Sequence, residues 1–308
     1  MSGSVAKEPA VPKPPWLRIR LETGPNYSLV RGMVRGLGLH TVCQEARCPN
    51  IYECWGDRTA TFMVLGDVCT RRCGFCAVAT GRARPVDREE PEHVAEAVRR
   101  LDLRHAVITM VDRDDLSDGG AGHVAAVIRA VRRLNPACDV EILSSDFRGV
   151  ERPLEVILQE GPVTFSHNIE TVPRLYPNVR PGSRFERSIG LLQEAIRWRG
   201  TAVRPLVKTG LMIGLGEGPD ELRATFARLA GAGVEILTVG QYLRPTLAHL
   251  PVARYYHPDE FSVLREEALG LGFRHVEAGP LVRSSYHARR HTEEAASDPP
   301  LDRAASSP

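Results

Sequence analysis

The sequence lacks any uninterrupted apolar run near the roughly 20 residues that a membrane-spanning helix needs. Residues 1–20 contain no apolar signal-peptide core, and Glu8 departs from the acid-free pattern of a transit peptide. Neither sign of charge dominates, since 40 Lys and Arg residues stand against 38 Asp and Glu residues, and no overall field indicates a nucleic-acid partner. We therefore expect a cytoplasmic protein with no membrane and no nucleic acid among its partners.

Two common catalytic signatures are also missing. The histidines form no HExxH pattern, which argues against a zinc hydrolase, and no GxSxG nucleophile elbow occurs. The chain is instead 308 residues long and 43% hydrophobic, which suffices for a sizeable core. Six of its seven cysteines lie between Cys43 and Cys76. In a reducing compartment, this density of cysteines indicates metal binding rather than disulfides.

Short apolar runs alternate with helical patterns through the centre of the chain. Most of the intervening segments have the i, i+3, i+4 and i+7 apolar spacing of helices that cover a sheet. This alternation implies a parallel sheet with right-handed crossovers. Six such units are too few for a closed eight-stranded barrel, so we predict an α/β fold, a partial (β/α)6 TIM-type barrel open on one side. A doubly wound open sheet is the alternative. The predicted strands are residues 61–65, 105–110, 140–143, 163–165, 203–206 and 236–239.

The first cysteine triad follows the first predicted strand directly. Cys69, Cys73 and Cys76 form C-x3-C-x2-C in a loop where barrels and open sheets both place active sites. Three thiolates suit an iron–sulfur cluster and leave one iron open to bind a substrate. That substrate would be S-adenosylmethionine, whose reductive cleavage releases a 5′-deoxyadenosyl radical. A zinc site is the alternative, but no suitable fourth ligand follows in the sequence.

The second triad lies just before the barrel. Cys43, Cys48 and Cys54 form C-x4-C-x5-C and are again one ligand short of four. With both triads in this order, the sequence resembles the lipoyl synthases, which are radical S-adenosylmethionine enzymes. The resemblance runs from about Pro12 to Ala288. It includes the segments PKPPWLR, TATFMVLGDVCTRRCGFCAV, VDRDDLSDGGAGH, HNIETVPRLYPNVRPGS, KTGLMIGLGE, LTVGQYLRPT, HLPVARYYHPDEF and RSSYHA.

The resemblance implies two [4Fe-4S] clusters. It assigns a serine of the RSSY segment as the fourth ligand of an auxiliary cluster, which here is Ser285, with Ser284 as the contender. It also makes Asn168 and Glu170 candidates to bind S-adenosylmethionine. Arg180 and Arg283 could lie near carboxylates, although solvated arginines are the ordinary interpretation. The metal ligands predicted in this way are Cys43, Cys48, Cys54, Ser285, Cys69, Cys73 and Cys76.

The resemblance also implies a domain organisation. Residues 1–58 would form an N-terminal extension with the auxiliary-cluster cysteines, and residues 59–280 the radical S-adenosylmethionine partial barrel. Residues 281–308 would form a C-terminal extension with the RSSY motif and a tail that is disordered after about Glu294. The Pro-rich start, up to about Pro15, is predicted to be disordered or draped over the surface.

The activity implied by the resemblance is that of a sulfurtransferase. A radical removes hydrogen from C6 and then from C8 of a protein-bound octanoyl group, and the auxiliary cluster gives up sulfur at each position. The implied partners are an octanoylated lipoyl carrier domain (the glycine cleavage H protein or an E2-type subunit of a 2-oxoacid dehydrogenase), an electron donor such as ferredoxin or flavodoxin, and a cluster-assembly carrier. Arg71-Arg72 and Arg289-Arg290 could guide docking of an acidic carrier.

Other classes of protein fit the sequence less well. A biotin synthase would lack the triad that begins at Cys43, and a methylthiotransferase would carry a C-terminal nucleic-acid-binding domain. An iron–sulfur carrier would not need six βα units. Two further loops are interpreted as turns, namely Asp112 to Gly120, with contacts to a cofactor as an option, and Gly214 to Gly218. The isolated Cys138 is assigned no role.

Overall fold

An eight-stranded sheet forms the centre of the computed structural model, which describes residues 12–297. Its strands follow the order β1-β2-β5-β6-β7-β8-β9-β10, and β3 pairs separately with β4. Strand β1 is antiparallel to β2, and every other pair is parallel. The strands are β1 (His40–Thr41), β2 (Thr61–Val64), β3 (Val68–Cys69), β4 (Ala79–Thr80), β5 (His105–Met110), β6 (Asp139–Leu143), β7 (Thr164–Ser166), β8 (Leu206–Ile213), β9 (Ile236–Gln241) and β10 (His275–Gly279).

Helices connect the parallel strands, and short 3₁₀ turns occupy Pro15–Leu17, Phe147–Gly149 and Pro173–Leu175. Among residues 12–297, none of the helices combines the length and apolarity that crossing a membrane requires. The helices are α1 (Pro25–Gly36), α2 (Val42–Glu45), α3 (Ile51–Gly56), α4 (Glu90–Leu101), α5 (Ala121–Leu134), α6 (Glu151–Leu158), α7 (Tyr176–Val179), α8 (Phe185–Arg199), α9 (Pro219–Gly231), α10 (Pro258–Gly270) and α11 (Ala288–Ser297).

The apolar faces predicted from the sequence form the interior. Val94, Val98 and Leu101 of α4 are buried, as are Val124 and Val131 of α5, and these two helices pack against each other. Every residue of β2 is buried, which is typical of a parallel strand covered on both faces. Burial of these apolar stripes is the main force that holds the helices on the sheet.

The predicted partial barrel is confirmed. The parallel strands follow one another in chain order, whereas a doubly wound sheet reverses its order at a switch point. Within the described residues, β1 and β10 do not pair with each other, so the sheet stays open between them. The structure adds a seventh parallel strand, β10, and the antiparallel strand β1, neither of which the apolar pattern indicated.

Two details of the prediction are wrong. The strand predicted at residues 203–206 is β8, Leu206–Ile213, because Pro205 has no amide hydrogen to donate to a sheet and Lys208 interrupts the apolar pattern. The chain is also not disordered directly after Glu294, because α11 continues to Ser297. Ala295 of this helix is fully buried against Leu206 and Ile236. The remaining parts of both predicted disordered ends, residues 1–11 and 298–308, lie outside the described residues.

Candidate metal and cofactor site

A cavity of about 500 Å³ is lined by residues that follow the carboxyl ends of the parallel strands. All of the predicted site residues line it, although they come from widely separated parts of the chain. Parallel strands bring their carboxyl ends to the same side of a barrel, so the loops after them converge there. The cavity is lined by both cysteine triads and by Asn168, Glu170 and Ser285.

The first triad lies on a loop held by backbone hydrogen bonds. Cys69 ends β3, and the amide of Arg71 lies 3.4 Å from the Cys69 sulfur as a hydrogen-bond donor. The amide of Cys76 donates to the carbonyl of Cys73 at 3.2 Å. Burial raises the pKa of the Cys69 thiol to about 11 and that of Cys73 to about 12, and the negative charge of Asp112 adds to both shifts.

The second triad lies on two short helices and the turn between them. Helix α2 carries Cys43 and α3 carries Cys54, while the amide of Cys48 donates to the carbonyl of Cys43 at 3.0 Å. The side chain of Asn50 donates to the carbonyl of Leu281 at 2.8 Å, which ties this turn to the C-terminal part of the chain. Burial raises the pKa of Cys43 to about 11, and burial also raises the pKa values of Cys48 and Cys54.

The raised thiol pKa values are a test of whether these residues fit a metal cluster. A buried thiolate is unstable without a nearby cation, so these thiols keep their protons when no metal is bound. A bound metal ion replaces the protons and stabilises the thiolates. Within residues 12–297, neither triad is among the groups whose ligand atoms are close enough to hold one metal ion. A single tetrahedral zinc would bring its sulfur ligands within about 3.8 Å of one another. Neither triad therefore forms a ready-made site for a single metal ion among the described residues.

A loop between β10 and α11 carries the two serines. We call residues 280–287 the serine loop. The Asn168 amide lies 3.4 Å from the Ser284 hydroxyl as a hydrogen-bond donor, and Ser285 lines the same cavity. The backbone of the loop approaches β9 so closely that a Cβ on Gly240 would lie 2.1 Å from the carbonyl oxygen of Val282. The serine loop therefore packs directly on the barrel.

Asn168 and Glu170 lie just after β7, where the backbone of Glu170 has a φ of 66°. The Glu170 amide donates to the Gly210 carbonyl, and the amide of Met212 donates to the Glu170 carbonyl, so the strained residue is fixed on β8. Burial raises the pKa of the Glu170 carboxyl, and Arg180 partly offsets this shift. The buried side-chain oxygen of Asn168 accepts no hydrogen bond among the described residues. This oxygen therefore keeps an unused capacity to accept a hydrogen bond.

The arginines near the site are not solvated, contrary to the ordinary interpretation of Arg180 and Arg283. Arg180 is only 7% exposed and donates a 2.7 Å hydrogen bond to the carbonyl of Asn168. Arg283 is half-buried and lines the cavity beside the triad that includes Cys48. Both guanidinium groups thus supply positive charge inside the cavity, next to thiols and carboxyl groups.

Arg71 lies inside the site, although the sequence predicted it on the surface as part of a docking patch. It is only 6% exposed and forms ion pairs with Asp112 at 3.2 Å, Asp114 at 2.8 Å and Asp146 at 2.6 Å. The suggestion that Arg71 guides docking is therefore wrong, whereas its neighbour Arg72 is exposed. The arginine joins the first cysteine loop to the loops after β5 and β6. The acids that follow these strands, Asp112 and Asp114 after β5 and Asp146 after β6, are the signal that could have identified it.

The loops from Gly214 to Gly218 and from Asp112 to Gly120 form turns, as the sequence predicted. The Glu217 carboxylate accepts hydrogen bonds from the amides of Gly214 and Leu215, so a carboxylate already occupies the amides that a phosphate would need. In the other loop, Asp118 accepts from the amides of Gly120 and Gly122 at the start of α5. Asp112 lines the cavity and is the member of this loop that faces the site.

Comparisons with known proteins agree with this geometry. The model of the radical SAM superfamily matches residues 63–229, and the model of the N-terminal domain of lipoyl synthase of the Radical_SAM family matches residues 4–48. The crystal structure of methylornithine synthase (PylB) has a TM-score of 0.53 at 15% identity, covering 82% of this chain and 81% of that chain. This likeness concerns the fold alone. Fold and site together define a radical S-adenosylmethionine enzyme, a class that uses a [4Fe-4S] cluster and S-adenosylmethionine.

Curated relatives identify the family within this class. The lipoyl synthase of Rubrobacter xylanophilus is 56% identical over 283 residues, which are 92% of this chain and 87% of the relative. The lipoyl synthase of Halalkalibacterium halodurans is 53% identical over 292 residues, which are 94% of this chain and 95% of the relative. The chain belongs to the lipoyl synthase family.

Proposed function

We propose that this enzyme inserts two sulfur atoms, at C6 and C8, into an octanoyl group that is attached to a carrier protein. The observation that carries the proposal is the single cavity lined by both cysteine triads and by the serine loop. Saturated carbon is too inert for a side-chain acid or base, so the reaction requires radical chemistry that a cofactor supplies. The task of the protein is to position the octanoyl chain between two clusters and to exclude water.

We assign Cys69, Cys73 and Cys76 to the radical cluster. Cys43, Cys48 and Cys54 are assigned to a second, auxiliary [4Fe-4S] cluster. When bound, the first cluster with S-adenosylmethionine would supply the carbon-centred oxidant, and the second would supply the sulfur. The assignment is supported by the separate elements that carry each triad and by the burial of the thiols. On this assignment, the proposed extensions at residues 1–58 and 281–308 carry the ligands of the auxiliary cluster, and residues 59–280 form the barrel.

We assign the fourth auxiliary ligand to Ser285. Ser284 already lies within hydrogen-bonding distance of the Asn168 amide, so its hydroxyl has a partner. A serine oxygen is a hard ligand among soft thiolates, and its bond to iron should break more easily when the cluster opens. The hydrogen bond between Asn168 and Ser284 thus supports the choice of Ser285 that the resemblance already implied.

We assign Asn168 and Glu170 to binding of S-adenosylmethionine. The unpartnered side-chain oxygen of Asn168 can accept a hydrogen bond from the amine of S-adenosylmethionine, and the Glu170 carboxylate can accept one as well. Arg180 holds the Asn168 backbone in place and carries the charge needed to attract a carboxylate. Positive and negative side chains therefore meet where an amino acid moiety would bind.

The partners follow from the proposed reaction. The octanoyl substrate would arrive on a lipoyl carrier domain, such as the glycine cleavage H protein or an E2-type subunit. Electrons would come from a ferredoxin or flavodoxin, and a cluster-assembly carrier would rebuild the spent auxiliary cluster. We place the reaction in the cytoplasm, where the cysteines remain reduced. Arg72, Arg289 and Arg290 are exposed and could guide an acidic carrier, with Arg289 and Arg290 already paired to Glu293 and Glu277.

An anaerobic assay with an octanoylated lipoyl-domain peptide and a strong reductant tests the proposal. The wild-type protein should add two sulfurs to the peptide, measured by mass, and form two equivalents of 5′-deoxyadenosine. Cys73→Ala should abolish deoxyadenosine formation, because it removes a ligand of the radical cluster. Cys48→Ala should keep some cofactor cleavage and form no sulfur product. Equal loss of both activities in both variants would contradict the division of labour between the triads.

The two serines offer a matched pair of variants for the fourth ligand. Ser285→Ala should stop sulfur insertion while 5′-deoxyadenosine still forms, and Ser284→Ala should leave more of the sulfur product. Ser285→Cys should restore cluster binding in iron and sulfide analysis, because thiolate is a strong ligand for iron. If Ser284→Ala lost the sulfur product and Ser285→Ala did not, the assignment of Ser285 would be wrong.

A further inference from the structure

A second group of metal-ligand residues lies outside the cysteine cavity, where α11 packs on β10. His275 and Glu277 are two residues apart on β10 and therefore project to the same face of the strand. His291 projects from α11 and is completely buried. Their ligand atoms all lie within 4.8 Å of one another. The group therefore joins the two elements that flank the serine loop.

The distances within this group are too long for hydrogen bonds. The Nε2 atoms of His275 and His291 each lie 3.7 Å from the same Glu277 oxygen, Oε2. Neither of these buried ring nitrogens has a hydrogen-bond partner among the described residues, and Nδ1 of His291 has none either. A buried polar atom that is left without a partner destabilises the folded protein. An ion between the three ligand atoms would satisfy both imidazoles at once.

The other ring nitrogen of His275 has the partner that metal-binding histidines usually have. Its Nδ1 lies 2.9 Å from a carboxylate oxygen of Glu294, one turn after His291 on α11. If Nδ1 carries the proton and donates it to Glu294, Nε2 keeps its lone pair, directed toward Glu277.

The charges around the group are close to balanced. Glu277 and Glu294 are negative, and Arg290 is positive and donates a 2.6 Å hydrogen bond to Glu277. Lys208, which lies beside His291, is paired with Glu141 at 2.9 Å. The two carboxylates of the group, Glu277 and Glu294, therefore exceed the single cation that pairs with them, Arg290, by one charge. That balance favours an added cation.

We propose that His275, Glu277 and His291 bind one Zn²⁺ ion that fastens α11 to β10. Two imidazoles and one carboxylate are a ligand set that zinc accepts, with a water molecule as the fourth ligand. The ion would be structural, and it would fix both ends of the serine loop. The site is chemically distinct from the cysteine triads because it contains no sulfur. It does not depend on the function proposed above.

Metal analysis of the anaerobic holoprotein, with its iron–sulfur clusters in place, tests this proposal. The protein is equilibrated with Zn²⁺, desalted and analysed for zinc per chain and for zinc-edge X-ray absorption. We expect one retained zinc ion with nitrogen and oxygen neighbours at about 2.0–2.1 Å. His291→Ala and His275→Ala should each lower zinc affinity at least about 10-fold, because each removes a ligand. Sulfur neighbours in the spectrum, or failure of the wild-type protein to retain zinc, would overturn the site.

Two further variants separate loss of a ligand from loss of the fold. Glu294→Gln changes an exposed side chain and should weaken zinc binding about 10–100-fold, because it alters the partner of His275. His105→Gln is the control, since His105 is a buried histidine of the same barrel that contacts Glu141 instead. It should retain zinc like the wild type. Undiminished zinc in both Glu294→Gln and His291→Ala would assign the metal to another place and refute the proposal.

Discussion

The phenol of Tyr286 donates a hydrogen bond of 2.7 Å to the carboxylate of Glu53. Glu53 directly precedes Cys54 on α3, and Tyr286 directly follows Ser285 on the serine loop. This bond therefore joins two segments that are more than 200 residues apart in the chain. It fixes the distance between a proposed thiolate ligand and the proposed serine ligand of the same cluster.

Tyr286→Phe should reduce sulfur insertion more than it reduces cofactor cleavage. The exposed bond should stabilise the fold by only about 0.5–1.5 kcal/mol, so the variant should remain folded. Its auxiliary cluster should lose iron to a chelator faster than that of the wild type, as followed by absorbance. Tyr255→Phe is the control, because Tyr255 does not line the cavity. Equal reduction of both products in Tyr286→Phe would argue against this positioning role.

Arg71→Gln should destabilise the protein strongly, whereas Arg72→Gln should be nearly neutral. Arg71 is paired with three carboxylates, of which Asp146 is completely buried, and Arg72 is exposed. Removing one partner of a buried ion pair costs about 3–5 kcal/mol because the other charge stays buried. Thermal unfolding of the two holoprotein variants measures the difference. Similar melting temperatures for both variants would contradict the buried network.

Gly240→Ala should displace the serine loop. The added Cβ would lie 2.1 Å from the carbonyl oxygen of Val282, and this contact is with backbone, which cannot easily move away. We expect lower stability and little sulfur product. Gly190→Ala is the control, because a Cβ there meets no atom within 4 Å. It lies inside α8 and should stabilise the protein by about 0.5–1 kcal/mol. A stable, fully active Gly240→Ala variant would refute the close contact.

Stability should fall as the pH decreases from about 6.5 toward about 4, in part because of His167. Burial, with a contribution from nearby Arg180, lowers the pKa of this histidine from 6.5 to about 4. The unfolded chain therefore binds a proton in this range before the folded protein does. Stability is complete above the unfolded pKa and is lost at up to about 1.4 kcal/mol per pH unit as the pH falls.

His167→Gln should make this pH dependence shallower. Thermal unfolding of the anaerobic holoprotein at a series of pH values measures it, and the difference between wild type and variant isolates His167 from His291, whose pKa is also lowered by burial. At neutral pH the variant should be less stable, since the imidazole has partners in the Ser144 carbonyl and the Ser188 hydroxyl. Parallel pH profiles for the two proteins would show that His167 does not titrate as expected.

The sequence predicted the fold where the local pattern was strong. The strands at 61–65 and 105–110 and the apolar faces of α4 and α5 were predicted correctly, because buried parallel strands and amphipathic helices have distinct periodicities. Strand β10 was not predicted because the polar residues His275 and Glu277 interrupt the apolar pattern that indicates a buried strand. Helix α11 was missed because its few buried residues are mostly small or polar.

The sequence by itself determined the two cysteine triads, their order and the barrel that follows, since all three depend on short-range spacing or periodicity. Only the tertiary structure decided which distant groups meet. Burial of Arg71 among three acids, the bond from Asn168 toward Ser284, and the group of His275, Glu277 and His291 all depend on how strands converge and on where α11 docks. Long-range packing sets those contacts, and no local pattern of residues encodes them.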